Sequence, residues 1–238
     1  MEKGIFYPVS TGPGSAEMLT LQAVRILRDC EIIFFPESEK NTLALDSISQ
    51  ISGLDLSKKT LIPCHFSMTT DKEKSAAEYE KIARECQSFL NKGKSIAMLS
   101  IGDVTLYSTA ARTAILIQSQ GFDVKFIPGV NSFSAAASSA LISLCEKDEK
   151  LTIIPGDAFY TEGKLEGALK EDGKKVLMKM GRHLREIISI VEEYKLIQNA
   201  ILVQKASLPE EKIFRGKEIL LMTEDDFEGA YLSVMIVG

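Results

Sequence analysis

Short apolar runs separated by longer amphipathic stretches recur along the first half of the chain. GIFYPVS at 4–10 is a run of this kind, and it breaks at the glycine turn TGPGS. From Ser15 to Asp29 the residues Leu19, Val24, Ile26 and Leu27 recur on one side, the period of a helix, with Ser15 as its N-cap. EIIFFP (31–36) is apolar almost throughout, as a strand buried on both faces requires. The same texture predicts a helix over 42–51, a strand TLIPC at 60–64 and a long charged helix over 71–91. A strand SIAMLS at 95–100, a helix over 105–119 and a strand DVKFIP at 123–128 follow. Strands alternating with helices predict β-α-β units and a parallel sheet.

After Pro128-Gly129 the pattern changes. NSFSAAASSAL (131–141) predicts a helix of small residues that packs closely against a neighbour. LTIIPG, KVLMKM, AILVQKA, EILLM and AYLSVMIVG then predict five strands, with two helices among them near 164–170 and 182–193. The class is therefore α/β in two domains. The N-terminal one, over 1–129, has a mainly parallel sheet, and the C-terminal one, over 130–238, a mixed sheet. No Gly/Ser-rich or Pro-rich linker separates them.

Composition narrows the partners. A chain of 238 residues that is 45% hydrophobic buries a sizeable core. Its net charge is −5 and no basic block offers a nucleic acid an electrostatic footprint. Residues 1–11 lack the apolar core and cleavage site of a signal peptide. No apolar run reaches the roughly 18 residues of a membrane span. The four cysteines, Cys30, Cys64, Cys86 and Cys145, are widely spaced. A cytoplasmic protein with reduced thiols and no membrane or nucleic-acid partner is expected.

Three segments can carry chemistry. The first is Thr11-Gly12-Pro13-Gly14-Ser15-Ala16-Glu17, where the glycines allow backbone to approach a ligand. It can equally be a plain strand-to-helix turn. A dinucleotide loop needs a third glycine where Glu17 stands, and that carboxylate would repel a pyrophosphate, although Glu37 lies where a ribose-binding acid belongs. The second is Gly102-Asp103 after the fourth strand, where ligands of open α/β sheets bind. Asp103 can accept hydrogen bonds from a ribose or amino group, or merely cap the next helix. The third, Pro128 to Ala136, reads in isolation as a loop and a core helix. His65 beside Cys64 lacks the ligand count of a metal site, His183 at a helix start is ordinary, and Met178 and Met180 read as core packing.

Taken together, the three segments resemble the tetrapyrrole methylase family. Its pattern of a strand followed by G-x-G-P-G-[DS]-x-x-x-L-T stands here as Ser10-Thr11-Gly12-Pro13-Gly14-Ser15 with Met18-Leu19-Thr20. Its Gly-Asp segment is Gly102-Asp103, and its P-G-[VI]-[ST] segment is Pro128-Gly129-Val130-Asn131-Ser132. Within the family the chain is most similar to the methylases that act at C20 of precorrin-2 or cobalt-factor II in cobalamin synthesis. The marks are Phe35-Pro36-Glu37-Ser38-Glu39-Lys40, the run from Gly102 to Thr109, and Ser132-Phe133-Ser134-Ala135-Ala136-Ala137. Three departures stand out: Ser15 for a common Asp, Val104 for a proline, and Asn131 for a Ser or Thr.

The resemblance implies a homodimer of chains with two α/β domains and S-adenosylmethionine in the cleft between them, leaving as S-adenosylhomocysteine. Carried over by position, the cofactor neighbours are Pro13, Ile101, Gly102, Asp103, Leu106, Asn131, Ser132, Met180 and Ala206. The tetrapyrrole carries many carboxylates, so Arg112, Arg182 and Lys40 are candidate substrate residues, beside Gly12 and Gly14 of the first loop. No catalytic base and no metal ligand is named. The competing readings are an NAD-type oxidoreductase on the Gly12-Pro13-Gly14 turn, a non-enzymatic binding module, and a family member acting at another ring carbon.

Overall fold

The structure is a computed structural model that describes residues 3–37, 42–67, 71–228 and 230–238. The chain divides into two compact units, Met1–Asn131 and Ser132–Gly238.

The first unit is built on β1 (Phe6–Ser10), β2 (Ile32–Pro36), β3 (Thr60–Cys64) and β4 (Ile96–Ser100), in the order β1-β4-β2-β3 and all parallel. The connections run through α1 (Leu21–Asp29), α2 (Leu43–Ser49) and α3 (Lys72–Leu90), and α4 (Thr109–Ser119) follows β4. Phe6, Phe34 and Met98 pack with Ile82, Cys86 and Ala114 on one face of the sheet. Val9, Ile33 and Leu99 pack with Ala23, Leu27 and Ile48 on the other. Burial on both faces explains why β1, β2 and β4 read as unbroken apolar runs rather than as alternations, while β3, at the sheet edge, is largely uncovered.

Three boundaries differ from the pattern-based expectation. The helix expected from Ser15 is broken. Ser15 caps only a 3-10 turn (Ala16–Met18), the chain runs extended through Leu19 and Thr20, and Thr20 caps α1 by accepting the Ala23 N–H at 3.1 Å. Two cap-forming residues five apart split one periodic stretch into two. The helix expected from residue 105 starts at Thr109, because the Asp103 carboxylate draws in the Thr105 N–H and holds the intervening chain as a turn. The strand expected over 123–128 lies along β1 through parallel bridges at Val124 and Ile127, with Lys125 N–H donating to Phe6 and Ile127 N–H to Pro8.

The second unit opens with α5 (Ser132–Ser139), which lies against β9 (Ser233–Val237). Its sheet has the order β5-β6-β9-β7-β8, from β5 (Leu151–Pro155), β6 (Lys174–Met178), β7 (Ile201–Gln204) and β8 (Lys212–Arg215). β5 and β6 are parallel and the other pairs antiparallel, so the sheet is mixed. Since β6 and β7 both oppose β9, the strands β5, β6 and β7 all point the same way, and the loops that leave them share one edge. Ile154, Leu177, Leu202 and Met235 form the core with Leu184, Ile187 and Val191 of α8 (Leu184–Glu193). Two short helices, α6 (Gly156–Thr161) and α7 (Leu165–Lys170), connect β5 to β6, and α9 (Glu224–Glu228) precedes β9; α6 and α9 were not expected.

The segment EILLM, expected as a strand, belongs instead to a 3-10 turn, Gly216–Leu221, and the strand is the preceding KIFR of β8. Gly216, at φ +52°, turns the chain out of the sheet, and the Glu218 carboxylate accepts the Arg215 N–H at 2.9 Å. Of the apolar run only Ile219 is buried, while Leu221 is 78% exposed, so the pattern was neither alternating nor core-facing.

Candidate functional site

In register, β1 and β4 end level at Ser10 and Ser100. Beyond them the two chains turn toward each other. Gly12 N–H donates to the Gly102 carbonyl at 3.2 Å and Gly102 N–H to the Gly12 carbonyl at 2.7 Å. Both glycines are left-handed, at φ +71° and +74°. They differ in surroundings: a Cβ on Gly12 would sit 2.7 Å from Met18 Cβ, whereas one on Gly102 would meet nothing within 4 Å. Gly102 is itself buried, yet the place its side chain would occupy is unfilled, a condition for close approach of a ligand to its backbone.

Asp103 ties the third segment to this pair. Its Oδ2 accepts the Gly129 N–H at 2.7 Å, and its Oδ1 accepts both the N–H of Thr105, at 2.8 Å, and that residue's hydroxyl. Burial pushes this carboxyl upward, but the three hydrogen bonds outweigh it and hold its pKa below the ordinary aspartate value. Ser10 completes the knot. Its Oγ donates to the Ile127 carbonyl and accepts the Val104 N–H, each at 2.8 Å. A Cβ on Gly129 would lie 2.4 Å from Ser10 Cβ, so only glycine fits where the third segment crosses β1. Asp103 is thus neither a helix cap nor a free side chain; Ser108 caps α4, with its Oγ accepting the Ala111 N–H at 3.3 Å.

The remaining sequence candidates of this unit fall around the knot. Pro13 and Gly14 are buried, and the Gly14 carbonyl accepts the Ser47 hydroxyl of α2 at 2.6 Å. Ile101 packs on the core under β1, and Leu106 is half-buried with its N–H donating to the Asp103 carbonyl. Asn131, half-buried, ends the unit. Arg112 is exposed on α4, its guanidinium 4.2 Å above the Tyr79 ring. Lys40 lies outside the described residues. Glu37 and His65, at the ends of β2 and β3, stand 3.5 Å apart. The dinucleotide alternative loses its footing here, because the helix it requires directly after the glycines begins only at Leu21.

Ser132, the first residue of α5, is half-buried and belongs to the second unit, where Met180 and Ala206 occupy loops on the shared edge. The Met180 side chain is 1% exposed and packs in the core, and a Cβ on Gly156 would meet its Cγ at 2.8 Å. What Met180 can offer a ligand is main chain. Ala206 sits between Lys205 and Ser207, both left-handed at φ +51° and +69°. Arg182 is exposed.

One cluster on this edge has no motif to mark it in the sequence. His183 Nδ1 lies 2.7 Å from Asp157 Oδ1, and its ring is 4.8 Å from that of Tyr160. The signal was Asp157 directly after a Pro-Gly step at a strand end. Ser10, the centre of the first knot, stands in the sequence only as the residue that leads into the glycine turn, and nothing there assigns its hydroxyl a partner. Among the described residues no group of three His, Cys, Asp or Glu side chains is placed to hold a metal ion. No described helix is long and apolar enough to cross a membrane.

Comparison with known proteins adds a family likeness to this geometry. The family model described as Tetrapyrrole (Corrin/Porphyrin) Methylases matches residues 6–219. A cobalt-precorrin-2 C(20)-methyltransferase of Salmonella typhimurium is 29% identical, over 99% of this chain and 96% of its own. A probable cobalt-precorrin-2 C(20)-methyltransferase of Methanocaldococcus jannaschii is 31% identical, over 97% and 94%. Among solved structures, uroporphyrin-III C-methyl transferase from Thermus thermophilus, complexed with S-adenyl homocysteine, superposes with a TM-score of 0.67 over 99% of this chain and 92% of that one, at 18% identity.

Proposed function

The chain belongs to the tetrapyrrole (corrin/porphyrin) methylase family, and from that premise we propose that it transfers a methyl group from S-adenosylmethionine to C20 of a reduced tetrapyrrole, precorrin-2 or its cobalt form, in cobalamin synthesis. The observation that carries the reading is the meeting of the three motif segments of the first unit at Gly12, Gly102, Asp103 and Gly129. A family pattern scattered over more than a hundred residues of sequence is gathered into one place at the strand tips. The open space in front of Gly102 is the feature a nucleoside-sized ligand needs there.

S-adenosylmethionine, when bound, supplies a methyl group already activated on a sulfonium. The electron-rich ring carbon of a reduced tetrapyrrole would attack the methyl carbon as the sulfur–methyl bond breaks, releasing S-adenosylhomocysteine, and would then give up its proton to water or a base, so the main work left to the protein is alignment and exclusion of water, an effect worth up to ~7–11 kcal/mol. Gly102 provides the backbone face, and Asp103 holds that face in register with Gly129. The lone pairs of the Asp103 carboxylate not taken by Gly129 and Thr105 stay available to a ligand hydroxyl or ammonium group. Met180 and Ala206, in loops of the second unit, are counted as cofactor neighbours on the family pattern alone. The chain works as a homodimer, which sedimentation of the purified protein checks.

The test is transfer of labelled methyl from S-adenosylmethionine to metal-free and cobalt-containing substrate side by side, with the methylated carbon located by NMR. Label appearing at C20 of either substrate is the expected result; label at another carbon moves the enzyme within its family. No transfer to either substrate, with calorimetric binding of NAD in place of S-adenosylhomocysteine, overturns the reading.

A further inference from the structure

On the α3–α4 side of the first unit lies a hollow of about 410 Å³, lined by Tyr79, Thr105, Tyr107, Thr109, Arg112 and Ile115 among others. It is reached by the loop that leaves Gly102-Asp103. We infer that this hollow is a carboxylate subsite, in which Arg112 receives one acidic side arm of the tetrapyrrole; the inference rests on the methylase reading and specifies how that substrate is gripped.

Four observations converge on it. The Arg112 guanidinium carbon lies 4.2 Å from the ring centroid of Tyr79, which is itself only 7% exposed, so the exposed cation has a fixed, buried neighbour to rest on. Among the described residues Arg112 makes no ion pair, and Glu80, which borders the adjoining depression with it, pairs with Arg84 at 3.3 Å. Tyr107 stands at the rim, 46% exposed, with its backbone left-handed at φ +52°, a conformation that a bulky residue adopts rarely and at a cost. The volume holds an arm rather than a macrocycle. Part of the guanidinium is engaged by the Tyr79 side chain, and its remaining N–H groups can meet a carboxylate, while Ile115 and the stem of Arg112 take the methylene part of the arm.

The experiment compares wild type with Arg112→Ala and Arg112→Lys in two assays. In steady-state methyl transfer, Arg112→Ala is expected to raise KM for the tetrapyrrole about tenfold, the equivalent of about 1.4 kcal/mol, with kcat and S-adenosylhomocysteine affinity within about twofold. Arg112→Lys, which keeps the charge but not the fork, falls between. In fluorescence titration with uroporphyrin I, a soluble polycarboxylate that is not methylated in the assay, Arg112→Ala is expected to bind about tenfold more weakly. A folded Arg112→Ala protein with unchanged KM and unchanged uroporphyrin affinity overturns the subsite. So does an Arg112→Ala, Ile115→Ala protein that turns monomeric in sedimentation with unchanged uroporphyrin affinity, since the hollow is then a subunit contact. Absence of methyl transfer by wild type, with Arg112-dependent uroporphyrin binding intact, sinks the methylase reading and leaves the subsite standing.

Discussion

The carboxylate of Asp103 accepts the backbone N–H of Gly129 at 2.7 Å, joining the loop after β4 to the segment that leaves the sheet. Replacing Asp103 by Asn puts an amide donor against one of three donors already there. The expected loss is about 1–3 kcal/mol of unfolding free energy, the cost of an unsatisfied buried group, read from urea denaturation. S-adenosylhomocysteine binding, measured by calorimetry, is expected to weaken at least ~tenfold, about 1.4 kcal/mol, because Gly102 loses its support.

The same carboxyl makes a pH prediction. Its folded pKa lies below the unfolded value, so its contribution is fully present above about pH 4 and is lost as pH falls through the depressed folded value. The stability difference between wild type and Asp103→Asn should therefore shrink on acidification and stay level from about pH 5 to about 7. A difference that grows toward low pH contradicts it.

Gly129 and Gly102 are expected to fail differently. Gly129→Ala drives a Cβ to 2.4 Å from Ser10 Cβ, and overpacking of this kind costs about 1–3 kcal/mol, visible as a lowered Tm. Gly102→Ala meets no atom and carries only the left-handed penalty of about 1–2 kcal/mol. Its larger effect is on the ligand. Gly102→Val fills the space a ligand needs and should weaken S-adenosylhomocysteine binding at least ~tenfold in a chain that still folds.

In the second unit the Asp226 carboxyl is held down to about 2, first by the Lys212 ammonium at 2.6 Å and then by the N–H and hydroxyl of Thr223. With the folded value depressed, its stabilisation is complete above the ordinary aspartate pKa and disappears as pH falls toward about 2. Lys212→Met should raise the pH midpoint of acid unfolding, followed by circular dichroism. An unchanged midpoint removes this pair from the acid limb.

Burial pushes the Cys30 and Cys64 thiols up to about 12 and the Cys86 thiol well above its ordinary value, so thiolate is scarce at all three near neutral pH. Cys145 is only half-buried. Iodoacetamide at pH 8, with mass spectrometry of the native protein, is expected to label Cys145 first and the other three only after unfolding, on the order of the thiol reactivities that set this ranking.

Much of this was legible in the chain itself. Apolar runs such as Ile32–Phe35 marked strands buried on both faces, and the three motif segments marked the loops that meet. What was not legible was whatever depends on a single distant partner. Ser10 is an unremarkable strand serine until Val104 and Ile127 arrive on either side of it. His183 reads as an ordinary residue at a helix start because Asp157 lies 26 positions away. The EILLM segment misled because its apolar residues were counted without Gly216, which sends them out of the sheet. The split of the first helix turned on a contest between Ser15 and Thr20 that periodicity alone does not decide.

The mutual pairing of Gly12 and Gly102 uses main-chain groups at both ends. Peptide groups are the one recognition element that every residue type brings along, so a contact made of them does not depend on which side chains flank it. The side chains of Tyr107 and Arg112, farther along the loop and helix that follow, take no part in that pairing, so exchanging them leaves it in place.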